Sequence, residues 1–324
     1  MRHCVWALIF FISYLPCAKA AEPFYQMSTP VASQAPEARA QAASKALKDM
    51  LWRLTGSKQT EQNVALAGVF SQAETYAESF SYSAPGQVTF TFSASALNQL
   101  VKDYALPYWP INRPKVLVWW LNNGQWPDAG SAIPALDELK TQAQLRGLSL
   151  VFPHYDTDDR TALSIEQFKA FDSEALLNAS FRYGLDTILA VQWSDSGSRW
   201  HFDHRGEKRA GVDGAQGLHQ LADVLAARYA VSGSSATATA YLVISADGFG
   251  RYKQINDYLK KHSLITQCRL VQSAGRELVF EITLRSNLSQ FNSSLSLDMR
   301  LEPSANPEGN GSLTAPLNYR WIAN

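Results

Sequence analysis

A histidine and several carboxylates cluster in one short stretch of the chain, and these side chains could bind a metal ion. His154, Asp156 and Asp158 directly follow an apolar segment that is typical of a short strand. Loops at strand ends are where α/β folds place ligands, so one hypothesis is a metal-dependent hydrolase. The stretch lacks the glycine and the later oxygen ligand of a calcium loop. The alternative interpretation is a solvated acidic loop in which Asp158 or Asp159 caps the next helix.

A second group, His201, Asp203 and His204, has side chains suited to zinc but an unfavourable spacing. The surrounding residues indicate a strand, in which successive side chains point to opposite faces. His201 and Asp203 would then share one face and His204 would lie on the other. Either a bulge brings both imidazoles to one metal ion, or the three are structural residues at the surface.

Tryptophans are concentrated in the middle of the chain, where Trp119, Trp120 and Trp126 lie close together. Exposed tryptophans stack on sugars or anchor protein partners, so a second hypothesis is a module that binds peptidoglycan or another glycan. Because Trp119 and Trp120 are adjacent in a strand, they face opposite sides of it. One of them is expected at a domain interface or in an exposed patch, unless all three rings pack in cores.

Common catalytic signatures are missing from the sequence. It has no Gly-x-Ser-x-Gly elbow, and Thr55-Gly56-Ser57-Lys58 lacks the leading glycine of a phosphate loop. We therefore expect no catalytic residues and no cofactor, which favours a non-enzymatic protein.

The first twenty residues have the pattern of a cleavable secretory signal. Arg2 and His3 precede an apolar run, and Ala18-Lys19-Ala20 has the form that a signal peptidase cleaves. The run is shorter than the roughly 20 residues that span a bilayer, which disfavours an uncleaved anchor. No later segment is long and apolar enough for a transmembrane helix. We expect the mature chain in a bacterial periplasm.

The balance of charge disfavours some kinds of partner, and the cysteine content disfavours stabilisation by a disulfide. The chain has 29 basic and 29 acidic residues, so it lacks the positive surface that nucleic acid or anionic lipid would need. Of its three cysteines, Cys4 and Cys17 lie in the expected signal. Cys268 is left alone, so no intramolecular disulfide is expected, and it is interpreted as a small buried hydrophobe in a strand.

Hydrophobic periodicity divides the mature chain into small α/β and α+β domains joined by two linkers. The proline-rich residues 106–114 and the Gly/Ser-rich residues 231–236 are the expected linkers. The last domain has the order strand, helix, strand, strand, helix, strand, which is the ferredoxin-like βαββαβ pattern. The expected units are a signal peptide (1–20), an N-terminal α/β domain (21–109), a layered α/β domain (110–230), the ferredoxin-like domain (237–302) and a polar, disordered tail (303–324).

Three short motifs resemble those of a proteobacterial family. They are Asp-Met-Leu-Trp-Arg-Leu-Thr-Gly at residues 49–56, Asn-Arg-Pro-Lys-Val-Leu-Val-Trp at 112–119 and Arg-Tyr-Gly-Leu-Asp at 182–186, and Tyr258-Leu259 fits too. The family is domain-of-unknown-function family 2066, whose members are envelope proteins without an assigned activity. The resemblance runs over almost the whole mature chain, and its motifs carry no catalytic residues.

The middle domain by itself is similar in element order to the amino-terminal domain of TolB and to the periplasmic domains of CsgG and LpoB. Those domains bind proteins, so the resemblance implies an envelope protein as the partner. Together these observations predict a periplasmic adaptor or accessory protein of a cell-envelope assembly.

Overall fold

The computed structural model describes residues 23–128, 132–232, 238–246, 251–295, 300–304 and 309–322. Within these residues the chain has ten α-helices and three β-sheets. This confirms the expected mixed α/β and α+β class. The expected signal peptide lies outside the described residues.

A three-stranded antiparallel sheet packed against one long helix forms the N-terminal unit. The helix α1 (Pro36–Thr55) begins at a proline, which suits a first helical position, and ends at Gly56 with a φ of 73°. Asn63 caps a short 3-10 turn, and a second 3-10 turn covers residues 73–76, so this stretch does not form one continuous helix. The other elements are β1 (Gln26–Pro30), α2 (Ala67–Ser71), β2 (Ala77–Ala84), β3 (Gln87–Phe92) and α3 (Ala94–Asp103), with strand order β1-β3-β2.

The middle unit is a five-stranded sheet with helices on both faces. Its strands are β4 (Val116–Asn122), β5 (Leu150–Val151), β6 (Thr187–Ser194), β7 (Gly197–His204) and β8 (Glu207–Val212), in the order β5-β4-β6-β7-β8. Strands β5, β4 and β6 are parallel, whereas β7 and β8 are antiparallel additions. Strand β8 was not anticipated, because its residues are mostly charged or small and lack the apolar alternation of a strand. The helices are α4 (Pro134–Arg146), α5 (Thr157–Ala162), α6 (Ile165–Lys169), α7 (Ser173–Ser180) and α8 (Gly214–Tyr229).

The third unit follows the ferredoxin-like order with one extra strand. Its elements are β9 (Ala238–Ser245), α9 (Arg251–Lys261), β10 (Ile265–Ala274), β11 (Glu277–Leu284), α10 (Leu288–Leu295), β12 (Leu301–Pro303) and β13 (Leu317–Trp321). The sheet order is β10-β11-β9-β13-β12, with β13 parallel to β9. In the ferredoxin-like pattern the fourth strand pairs with the first. Here β13 lies between the first strand, β9, and the fourth, β12.

The expectation of a disordered tail is wrong for β13. Leu317 and Tyr319 are buried in the core of the third unit and alternate with polar residues. This alternation is typical of a half-buried strand. The tail as a whole is rich in polar residues, so its composition gave no indication of this five-residue strand.

The segment expected to be the first linker is packed. Leu106, Tyr108 and Trp109 are buried, and the backbones of Tyr108 and Val231 exchange two hydrogen bonds of 2.8 Å. The first expected linker thus forms an antiparallel bridge with the first residue of the second one, whose residues 233–236 lie outside the described residues. Tyr108 and Val231 pack in one core with residues of the N-terminal and third units.

Candidate functional site

The acidic loop after β5 is organised by hydrogen bonds within the protein. Asp156 caps α5 by accepting a hydrogen bond from the backbone N–H of Asp159, at 2.9 Å. Its carboxylate also accepts from the Arg182 guanidinium at 2.8 Å, which lowers the pKa of Asp156 to about 2. The cap is therefore Asp156, whereas the sequence favoured Asp158 or Asp159.

The hypothesis of a metal site at His154, Asp156 and Asp158 is corrected by this arrangement. Within the described residues, no group of three or more histidine, cysteine or acidic side chains could hold a metal ion. Asp159 is 1% exposed and accepts hydrogen bonds from Tyr183, Arg182 and the backbone of Tyr155. The carboxylates of Asp156 and Asp159 thus pair with Arg182 and Tyr183 and stabilise the loop, whereas Asp158 is exposed.

The histidines of β7 point to opposite faces of the middle sheet, as strand alternation predicts. His201 stacks on Phe171, with 5.7 Å between ring centroids, whereas His204 bonds to Thr187 and Tyr229. Burial lowers the pKa of both imidazoles. The two histidines and Asp203 are buried, so the expectation that they are surface residues is wrong.

The sequence hypothesis of an exposed tryptophan patch is corrected for two of its three rings. Trp119 and Trp120 are 1% and 2% exposed, because β4 is covered by helices on both faces. Trp126 is half-buried and packs against Trp119 and Tyr155, at 5.8 and 5.5 Å between ring centroids. Trp119 and Trp126 belong to the core on the side of α5, α6 and α7, whereas Trp120 belongs to the core on the side of α4 and α8.

The motif residues at 49–56 and 112–119 meet at a joint between the N-terminal and middle units. Arg113 is buried, and its guanidinium donates hydrogen bonds to the carbonyl oxygens of Arg53, Trp109 and Arg146. It also lies 3.6 Å from the centroid of the Trp109 ring. Arg53 is bound in the same way by the carbonyls of Phe24 and Gln26, and burial lowers its pKa to about 10. The motifs thus have a structural role.

A cleft of about 750 Å³ opens at the carboxyl ends of the parallel strands β4 and β6. This edge of an α/β sheet is where such folds bind ligands. The cleft runs over the end of the sheet, from α6 on one face to the first turn of α8 on the other. Its lining residues are Leu121, Gly124, Lys169, Gln192, Trp193, Ser194, Ser196, Gly197, Ser198, Arg199, Val212 and Asp213.

The cleft contains two cations on one wall. Arg199 donates hydrogen bonds to the side chain of Gln192 at 2.6 Å and to the carbonyl oxygen of Lys169 at 3.2 Å. Gln192 in turn donates to the carbonyls of Phe168 and Lys169. Among the described residues, neither Lys169 nor Arg199 forms an ion pair with a carboxylate. Gln192 therefore orients Arg199 and the end of α6, and leaves this wall positively charged.

The opposite wall carries an aromatic ring. Trp193 is half-buried and also lines a smaller adjoining cavity of about 170 Å³ beside Trp120 and Leu139. The acidic side chain in the lining, Asp213, accepts hydrogen bonds from the backbone of Ala215 and Gln216, so it caps α8. No motif or spacing in the sequence links Trp193 to Lys169 and Arg199, so the cleft was not predicted.

The third sheet ends in an open edge at β10. This ten-residue strand pairs with β11, and within the described residues no strand pairs with its other side. It contains no proline, and its single charged residue, Arg269, is bound to Glu281. Val271 is 44% exposed. Unpaired edges with so few charges or prolines are templates on which another strand can pair.

Part of the N-terminal half of the chain is similar to a described family. A family called domain of unknown function (DUF8605) matches residues 18–110, which include the N-terminal sheet and end before β4. No curated protein matches the chain. The resemblance to family 2066 and to envelope proteins stays a prediction.

Among solved structures, a competence-damaged protein (CinA) superfamily protein from Escherichia coli is similar over 41% of this chain and 84% of its own. The identity is 11% and the TM-score 0.20, so this likeness carries no argument about fold or function. Across the described parts of the chain, no helix combines the length and apolarity needed to cross a bilayer.

Proposed function

We propose that the protein is a non-enzymatic accessory protein of a bacterial periplasm that binds an envelope partner through the open edge of β10. The observation that carries this proposal is the open edge of a ten-residue strand with one charged side chain. An extended segment of a partner would add to this edge as a further strand, with main-chain hydrogen bonds for affinity and side-chain contacts for specificity. The secretory pattern at residues 1–20 supports the compartment.

The edge suits this role better than β8, β1 and β12 do, and it is two residues longer than β2, the other open edge of the N-terminal sheet. Strand β8 carries Glu207, Lys208 and Arg209, and such charges disfavour pairing with another strand. At β1, Arg53 already donates hydrogen bonds to the carbonyls of Phe24 and Gln26, so part of the backbone at this edge of the N-terminal sheet is occupied. Strand β12 has only three residues. β10 therefore offers a long edge with few charges.

The test is site-specific photo-crosslinking in a Gram-negative host that exports the full chain. A photoreactive residue at Gln272, in β10, is compared with one at Ala210, in the charged edge of β8. We expect one envelope protein to crosslink from position 272 and not from position 210. The substitution Val271→Lys should abolish this crosslink, because it adds a charge to the edge.

The matched control is Ala210→Lys, which adds the same charge to the β8 edge and should leave the crosslink unchanged. Mass spectrometry of the exported protein should give an N-terminus near Ala21. A crosslink that survives Val271→Lys, or a protein that stays in the cytoplasm, would contradict the proposal.

A further inference from the structure

The cleft at the carboxyl ends of β4 and β6 has no part in the partner binding proposed for β10. We propose that it is a binding site for a sugar that carries a carboxylate. The ligand would lie across the end of the middle sheet. Its ring would rest on Trp193 and its carboxylate would reach Lys169 and Arg199.

The register of the β6–β7 hairpin separates the two halves of this site. Gln192 is paired with Arg199, and Trp193 with Ser198, so the two pairs point to opposite faces of the sheet. Gln192 and Arg199 contact the end of α6, whereas Trp193 packs on the side of α4 and α8. A ligand that touches both halves must therefore have one apolar face and, separated from it, one charged group.

The charged half selects an anion. Arg199 is held by Gln192 and by the Lys169 carbonyl through its Nη2 atom, and its guanidinium lies 5.5 Å from the centroid of the Phe171 ring. Guanidinium groups fixed in this way form strong, directional hydrogen bonds to carboxylates. The Lys169 side chain extends toward Gly124. A Cβ added at Gly124 would lie 3.8 Å from the Nζ atom of Lys169. Two cations thus border the same end of the cleft.

The other half selects a sugar. A tryptophan face stacks on the C–H face of a sugar ring, and hydroxyl side chains near it can bind the ring hydroxyls. Ser194, Ser196 and Ser198 supply such hydroxyls in the lining. Ser198 also accepts a hydrogen bond from the Gly214 backbone at 2.8 Å, which orients its side chain. A volume of about 750 Å³ is sufficient for a disaccharide.

The test uses two sugars that differ by one carboxylate-bearing group, N-acetylmuramic acid and N-acetylglucosamine. Binding of each to the purified full chain is measured by ligand-observed NMR titration. We expect N-acetylmuramic acid to bind at least about tenfold more tightly, because a charge-assisted contact contributes about that factor. Its affinity should fall as salt is raised.

Variants distinguish this site from a nonspecific surface. Arg199→Gln should weaken binding of N-acetylmuramic acid about tenfold and leave N-acetylglucosamine unchanged. Trp193→Phe should weaken binding of both sugars, and Lys45→Gln, an exposed change in α1, should affect neither. Equal affinities for the two sugars, no binding of either, or an Arg199→Gln variant with unchanged affinity would overturn the inference. The β10 crosslink should be unaffected by these variants, so this proposal and the function proposed for β10 can fail independently.

Discussion

The guanidinium of Arg113 donates a hydrogen bond of 2.6 Å to the backbone carbonyl oxygen of Arg53, across the joint between the N-terminal and middle units. Arg53 is in the last turn of α1, and that carbonyl has no partner within the helix. Arg113 therefore completes the end of α1 while it binds the carbonyl of Arg146 in α4. A single buried side chain thus holds two helix ends from different units together.

Loss of this side chain should destabilise the protein. Arg113→Met leaves several buried carbonyl groups without a donor, so we expect the free energy of unfolding to fall by about 3 kcal/mol. Arg113→Lys should lose much of the same stability, because an ammonium group lacks the planar fork that reaches carbonyls in three directions. The measurement is urea denaturation followed by circular dichroism. The control Arg209→Lys alters an exposed ion pair and should change stability by less than about 0.5 kcal/mol.

The cap of α1 provides a second test of the joint. Gly56 has a φ of 73°, and a Cβ at this position would stand 2.3 Å from the Cβ of Ala226 in α8. Gly56→Ala should therefore combine backbone strain with a steric clash and cost about 3 kcal/mol. Gly184 has a φ of 63° but nothing within 4 Å of its Cβ position, so Gly184→Ala should cost about 1 kcal/mol. Equal losses in thermal denaturation of the two variants would show that the contact with α8 is not formed.

Stability of the third unit should depend on pH through His262. This imidazole is buried, and burial lowers its pKa from 6.5 to about 4. Because the unfolded chain binds the proton more readily, the stabilising contribution is complete above about pH 6.5 and is lost as the pH falls to about 4. At about pH 4 this contribution to the free energy of unfolding is lower by about 3 kcal/mol than above pH 6.5. Unfolding midpoints of His262→Gln should vary less over this range than those of the wild type.

A substitution in the third unit that removes no titratable group, Thr266→Ser, is the control for that experiment. It keeps the hydroxyl that donates to the carbonyl oxygen of Thr283. Its unfolding midpoints should depend on pH as those of the wild type do. A His262→Gln variant with the wild-type dependence would contradict the assignment.

Cys268 should react slowly with alkylating reagents in the folded protein. It is half-buried against the core of the third unit, and burial raises the pKa of its thiol to about 11. At pH 8 its thiolate fraction is then about 100-fold below that of a free cysteine, and the thiolate is the reacting species. Iodoacetamide labelling followed by mass spectrometry measures the rate. Unfolding in urea should restore rapid labelling, and fast labelling without urea would argue against burial.

The elements defined by local pattern could be read from the sequence alone. The spacing of Leu47, Met50, Leu51 and Leu54, with Pro36 and Gly56 at the ends, determines α1, and the apolar run of β4 determines a strand buried on both faces. The order of elements was sufficient to predict the mixed fold class and the first three strands of the third sheet. These features depend on residues close in sequence, so their physical causes are visible there.

Only the tertiary structure decided what these elements bring together. The insertion of β13 beside β9, the bridge between Tyr108 and Val231, and the burial of Trp119 and Trp120 depend on contacts between distant segments. The cleft likewise takes Lys169 from α6 and Trp193 from β6, residues that no sequence spacing links. Packing decides such contacts because the face that a side chain presents is fixed locally, whereas the surface that covers it is supplied by another part of the chain.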